Sequence, residues 1–540
     1  MTAASVGALS RTSLFNREPL RWQRMALLLL GWLLPQLLLH GSVLTGARLA
    51  LPLNCLALPN YYLPRTAEYA QLVPGNAVLT DLILQYPFNR EFAAHEIRAG
   101  RFPHWNPYNF AGAPFLYPIF SPFEWLYFLV PRPATLAWIQ LLHALTLAGG
   151  VYVFARKSLG LSFWAALAGS CCAPWCGYMV LWQGFPMTAP VALFPWLLTA
   201  VERTVRKPFG AAPPCLAALT TVHLCSGGFD VGCQVLLATG LYAVFVIYDR
   251  YLRVRQWRSG TYVATTLASA WLLGFLLAAP GLLPFFDYIR TGARMERRAQ
   301  GSEERPPLGL HTLPETVLPD IYGCSRPEMP RFGSIVQLES AATAYAGLLA
   351  TMFLAPLAFW DREAKRENRF WCFLAVLGCA WSLNLPGFVQ ILRLPGLNMF
   401  SHNRFTFATT MAVLVLAMKG MDSLRTQTLQ GRRWLFVPTI VAMLFGLYLV
   451  FIAGDLPEPI RSQMESAVRH GRTFPGIASV ADVRLIQSAF SAYYLTGAAL
   501  CLLAVLACFG AAKDLGRRRW FVACVAMTWL AEMLWFASGH

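Results

Sequence analysis

The chain of 540 residues is 56% hydrophobic and only 13% charged, with a mean hydropathy of +0.47. That composition excludes an ordinary soluble domain or a disordered chain and points to a polytopic membrane protein. The net charge of +17 would suit a nucleic-acid surface, but its distribution along the chain argues for topology anchors instead.

In chain order, apolar runs suited to helical crossings of about 17–25 residues fall near 25–45, 134–155, 161–182, 188–202, 210–227, 231–248 and 260–283. Further runs lie near 340–360, 370–385, 404–421, 434–453, 489–510 and 519–537, so the expectation is an all-α bundle of about thirteen transmembrane helices. Short alternating strands of the barrel type are not seen. The first run has a basic flank like a signal peptide, but it lacks a small-residue cleavage site and Arg48 follows soon after. It reads as an uncleaved helix.

Basic clusters recur on alternate connections. Arg11, Arg17, Arg21 and Arg24 precede the first run, Arg156 and Lys157 follow the second, and Arg203, Arg206 and Lys207 follow the fourth. Arg250, Arg253, Arg255 and Arg258 follow the sixth, and Arg362, Lys365, Arg366 and Arg369 the eighth. The short connections of opposite parity, 183–187 and 228–230, contain no Lys or Arg. Positive residues are retained in the cytoplasm, so the N-terminus is expected inside and the C-terminus outside. Residues 1–24 then form a cytoplasmic segment and 25–540 one transmembrane domain, with outer loops at 46–133, 284–339 and 454–488. Eleven of the thirteen cysteines fall within apolar runs and read as small apolar side chains. Cys55 and Cys324 fall in outer loops, where a disulfide is chemically allowed.

The first outer loop is the most informative. Pro87 opens an amphipathic helix running to Ala99, with Gly100 as terminator. Its Phe88, Phe92 and Ile97 would face the membrane surface, leaving Arg90, Glu91 and Arg98 in water. Asp81, in TDLILQYP, stands among apolar neighbours four residues before Gln85. A carboxylate at a low-dielectric boundary has a raised pKa, which suits a general base, although a helix cap or an arginine partner fits the same position. The following FPHWNPYNFAGAPF offers His104, Trp105, Asn106, Tyr108 and Asn109. Aromatic faces with amide hydrogen-bonders suit a sugar ring, and equally an interfacial belt. Farther on, LRLPGLNMFSHNRF carries Arg393, His402 and Arg404, cations able to hold a lipid phosphate or to pair with carboxylates. Asp230 and Glu339, at span ends, could complete such pairs, and Glu532 lies inside the last run. The sequence contains no Walker loop, glycine-rich dinucleotide motif, HExxH or GxSxG.

The Asp81 and Gln85 segment, RAGRFPHWNPYNFAGAPF, GGFD, ESAATAYAGLL and FSHNRFTFATTMAVLVLAMKGMDSL occur in an order that resembles the YfhO-type bacterial membrane proteins. These are a branch of the GT-C glycosyltransferase superfamily. The resemblance implies a large structured first extracytoplasmic loop in the bacterial inner membrane, and inverting transfer of a sugar from a polyprenyl-phosphate donor to an envelope polymer, lipid or protein. Under it Asp81 is the catalytic base, and Arg404, with His402 and Arg393, holds the donor phosphate. Gln85, His104, Trp105, Asn106, Asn109, Asp230 and Glu339 would shape the substrate cavity. No resident metal is expected from spacing, although superfamily members differ in using a divalent ion. The sequence departs from the resemblance at GGFDVG, where relatives read Gly-His-Pro-Glu/Gln. It also ends at His540, where many relatives continue into a further domain, so a short form or a fragment is expected. A lipid-linked saccharide flippase would place polar residues along midplane cavities, whereas the central runs here are nearly free of charge. An inactive lipid-binding protein is the other alternative.

Overall fold

The computed structural model describes residues 20–57, 66, 77–109, 111–326, 328–331, 336–361, 363–426, 433–454, 461–462, 465–466, 469, 480–513 and 515–540. Arg11, Arg17, Arg362 and most of the expected 454–488 loop lie outside these residues. The described fold is helical apart from one short antiparallel hairpin, β1 (Trp105–Asn106) and β2 (Ala113–Pro114), and a single bridge between Cys324 and Pro330.

Among the described residues nine helical stretches are long and apolar enough to cross a membrane. They are Arg21–Leu44, Thr135–Ser158, Phe163–Leu181, Phe229–Leu252, Trp257–Arg290, His402–Thr426, Phe436–Ala453, Val483–Ala512 and Arg519–Ser538. Their outward faces carry large apolar side chains, including Leu37, Leu38, Leu272, Leu276, Leu444 and Phe451. Water would penalise that surface and lipid does not. This is an all-α membrane protein.

The four remaining expected spans are helical but differ in form. Thr188–Arg206 carries Glu202, Arg203 and Arg206 and is buried along most of its length, so it packs against protein rather than lipid. Glu202 accepts hydrogen bonds from Arg206 at 2.8 Å and from Arg250 and Tyr242 at 3.2 Å, which compensates its burial. Ala212–Cys225 has 14 residues and Lys365–Cys379 has 15, each too short for a full crossing.

The expected continuous span at 340–360 is broken. Ala341–Ala344 is a 3₁₀ turn, and regular helix resumes only near Leu348, deep in the protein. A helix starting in the core leaves N–H groups without carbonyl partners. Glu532, from the last helix, accepts the N–H groups of Leu348 and of Leu349 (3.2 Å) and the Tyr345 hydroxyl (2.7 Å). This buried carboxylate therefore caps a helix. Irregular backbone is tolerated here because residues 341–346 are buried in protein, away from lipid.

Thr406–Thr426 forms the centre of the bundle, with nearly every residue buried. Gly420 lets it approach the Leu354 carbonyl, where any Cβ would collide. Thr406 and Thr343 join their hydroxyls at 2.7 Å across the contact. Lys419, buried nearby, pairs with Glu367 at 2.5 Å.

The segment from 77 to 134 is clamped onto one end of this bundle. Its helix runs Tyr86–Arg98 and Gly100 terminates it at φ +71°. Ala93 and Ala94 pack with Phe115, Ile119, Phe123 and Phe128 onto Leu136, Ile139 and Leu193 of the long helices. Phe88 is exposed, but Arg90 is buried rather than solvated as expected. The reason is a carboxylate 34 positions away: Glu124 receives Arg90 through two nitrogens, at 2.9 and 3.1 Å, and the Tyr117 hydroxyl at 2.6 Å. No disulfide joins Cys55 and Cys324, so the pairing allowed by the sequence does not form.

Candidate functional site

Four connections meet at the end of the bundle covered by this segment. Asp81 opens the short helix Asp81–Leu84, which follows a 3₁₀ turn at Ala77–Thr80. The next residue, Leu82, packs against Gly184 in the turn after Phe163–Leu181. Tyr86 meets Phe185 edge-on with ring centroids 6.0 Å apart, and Phe185 meets Trp182 at 5.1 Å. Trp182 in turn lies beneath the Arg404 guanidinium at 5.3 Å, within cation–π range. An aromatic line thus runs from Tyr86, at the start of the helix that follows Asp81–Leu84, to Arg404.

The electrostatics carry the same link. Burial pushes the Tyr86 phenol up to about 12, the Asp81 carboxylate pushes in the same direction, and Arg404 and Arg90 pull it down. One hydroxyl is therefore within the field of both Asp81 and Arg404. Asp81 itself is exposed, yet the protein around it removes enough water to raise its carboxyl pKa from its ordinary value. It takes no ion pair among the described residues.

Arg404 stands between two acids. Its terminal nitrogens lie 3.7 Å from Asp230 and 3.8 Å from Glu339. Both distances exceed a good charge-assisted hydrogen bond, so the guanidinium is attracted without being locked. Its Nε is buried with no partner. Asp230, in the first turn of Phe229–Ile247, accepts the Ser401 N–H at 3.1 Å and the Gln234 amide at 3.2 Å. Gln234 also donates to the Ser401 carbonyl at 3.0 Å. Asp230 thus fixes the turn that presents Arg404, and Glu339 is shared with Arg305 in a second ion pair.

Other residues expected at the site lie elsewhere or are already engaged. His402 is buried and its Nε2 faces the Leu397 and Leu392 carbonyls at 2.8 and 3.1 Å, while its ring lies against Trp381. That nitrogen is held by backbone carbonyls. Arg393 forms a two-point ion pair with Glu303 at 2.5 and 3.1 Å, in a separate network. Asn106 is buried and accepts the Tyr108 N–H at 3.0 Å, forming an Asx turn that shapes the hairpin rather than offering an amide to a sugar. His104, Trp105 and Asn109 are exposed around this hairpin, and Gln85 is exposed at the end of the Asp81 helix.

Tyr86, Trp182 and Arg305 were not singled out by sequence. Tyr86 has one usable signal, its place five residues after Asp81. Trp182 is one of 18 tryptophans with nothing to distinguish it. Among the described residues no group of three or more His, Cys, Asp or Glu side chains is arranged to hold a metal ion. The arrangement can accept a proton at Asp81 and attract an anion at Arg404, on a shared aromatic surface. Compared with protein-family models, curated proteins and solved structures, the chain matches none.

Proposed function

We propose that this chain is a GT-C-like membrane glycosyltransferase that moves a sugar from a polyprenyl-phosphate donor to an acceptor outside the cytoplasm of a bacterial cell. In this reading the bundle crosses the inner membrane with the N-terminus inside, and the 46–133 loop helps to form the substrate cavity. The observation that carries it is the aromatic line from Tyr86, whose phenol feels the charge of Asp81, through Phe185 and Trp182 to Arg404. A base and an anion site must act on one donor, and these two share one surface.

The proposed chemistry follows. The Asp81 carboxylate accepts the proton of an acceptor hydroxyl as that oxygen bonds to the anomeric carbon. The bond from that carbon to the phosphate oxygen breaks, and its electron pair leaves with the polyprenyl phosphate, inverting the centre. Arg404, loosely held by Asp230 and Glu339, turns part of its guanidinium to the departing phosphate and stabilises the charge formed there. A lipid-borne donor and a water-borne acceptor meet only at a membrane interface, which accounts for a polar site under an aromatic-rich loop.

The test is transfer of radiolabelled sugar from polyprenyl-phosphate donors by membranes containing the full chain. Asp81→Asn should lower turnover by about 10²- to 10⁴-fold, the usual worth of a general base, and Arg404→Ala by about 10²-fold or more. Wild-type turnover in Asp81→Asn removes it as base. No transfer from any such donor by the unmodified chain removes the glycosyltransferase reading.

A further inference from the structure

A cavity of about 140 Å³ opens beside the cluster just described, between residues 298–305 and 381–403. Arg298, Arg305 and Arg393 border it with Glu303, Trp381 and Asn403. Arg404 does not line it, and Glu339 connects the two regions by pairing with both Arg305 and Arg404.

Asn403 is the unusual member. Its side chain is 3% exposed, and both its Nδ2 and its Oδ1 are buried without a hydrogen-bond partner. Buried carboxamides are nearly always satisfied. Because both atoms are unpaired, exchanging the amide's orientation changes nothing. The neighbouring backbone is fixed, since His402 faces two backbone carbonyls and Arg298 bonds the Met399 carbonyl at 2.6 Å and the Ser401 hydroxyl at 2.8 Å. The amide is therefore held in place with one donor and one acceptor unspent.

The guanidiniums set the charge of what fits. Arg393 uses Nε and Nη2 on Glu303, and Arg305 uses Nε on Glu339. Arg393 keeps Nη1 outside its two bonds to Glu303, and Arg305 meets Glu339 through Nε while its side chain stays largely exposed. Glu303 and Glu304 already accept from arginines, so the unspent capacity consists of donors for an oxyanion plus one amide for a hydroxyl. The two carboxylates also disfavour a ligand of high negative charge.

We infer that this cavity binds an anionic saccharide, a hydroxylated ring carrying one carboxylate or phosphate, with the oxyanion on Arg305 and Arg393 and a hydroxyl pair on Asn403. The site is distinct from the Arg404 cluster, and its occupancy does not depend on sugar transfer.

The test is calorimetric titration of the full chain in neutral phosphatidylcholine nanodiscs with glucuronate, glucose 6-phosphate and glucose. The two anionic sugars should saturate one site at least tenfold more tightly than glucose. Asn403→Leu and Arg305→Gln should each weaken binding at least tenfold. Because Arg305 is largely exposed and Glu339 keeps Arg404 beside it, this variant should still fold and keeps the test valid if Asn403→Leu misfolds. Repeating the titration in discs containing glucuronosyl diacylglycerol separates the sources. Blocked binding identifies a glycolipid headgroup, and unchanged binding a soluble sugar, and either supports the proposal. It is overturned if no anionic sugar binds saturably in neutral discs, if glucose binds as tightly, or if Arg305→Gln binds like the parent.

Discussion

Replacing Arg90 by leucine should be among the most damaging single changes in the segment that covers the site. Arg90 and Glu124 are each 5% exposed and form a two-point pair, so the substitution leaves a carboxylate in a dry pocket with only the Tyr117 hydroxyl beside it. Removing one partner of a buried pair costs about 3–5 kcal/mol, and the remaining hydroxyl places this case near about 3 kcal/mol. Local opening of Tyr86–Arg98 then becomes roughly 10²-fold more frequent, at about 1.4 kcal/mol per tenfold. Amide hydrogen exchange across that helix in the purified protein reads it directly. Arg90→Leu combined with Glu124→Leu removes both charges and should recover most of the loss.

The pH dependence provides a second signature. In the parent, burial alone would raise the Glu124 pKa, but the charge and hydrogen bonds of Arg90 and Tyr117 outweigh it and hold the carboxyl below its ordinary value. A depressed folded pKa contributes stability that is present above the unfolded value of about 4.3 and is lost as pH falls through the folded one. In Arg90→Leu burial is opposed only by Tyr117 and the nearby His143, so the folded pKa rises and the penalty shrinks as acid neutralises the carboxyl. Exchange in the parent should speed up on acidification below the unfolded pKa, relative to the intrinsic rate, while the excess in the variant should diminish. Equal exchange in Arg90→Leu and parent at neutral pH would refute the reasoning, as would a double variant no better than the single.

Three further outcomes follow from the same geometry. In the transfer assay, the raised Asp81 pKa should place the acid limb of the rate above the ordinary carboxylate value of about 3.9. Activity should rise with pH as that group loses its proton, and a parent profile flat across this range would count against Asp81 as base. Gly228 sits at φ +55°, where an added Cβ would meet Met187 at 2.9 Å and the Pro186 carbonyl at 3.0 Å. Gly228→Ala should cost about 1–3 kcal/mol, read as a lower melting temperature, because strain and crowding fall at the turn that positions Asp230. Glu532→Leu should cost about 3 kcal/mol or more by leaving two helix-start N–H groups and the Tyr345 hydroxyl unpaired. Glu532→Gln, which keeps an acceptor, should melt closer to the parent.

Much of the architecture was legible because hydropathy is a local property: about twenty successive residues suffice to specify a crossing helix. The same reading overcounted regularity at 340–360, where composition is apolar but a distant carboxylate supports a break. It also placed Arg90 in water, since amphipathic spacing shows which side of a helix carries charge but not what covers that side. At the candidate site, Asp230, Glu339 and Arg404 were visible as charges at span ends, while Tyr86, Trp182 and Arg305 had no comparable mark.

By itself, then, the sequence determined a helical membrane chain with polar residues gathered between its apolar runs. Tertiary structure decided which of those residues share a surface, setting Arg404 over Trp182 between two acids, Arg393 on Glu303, and Glu532 at a broken helix. Charge pairing and burial depend on distances between segments tens to hundreds of residues apart, and those distances exist only once the helices have packed.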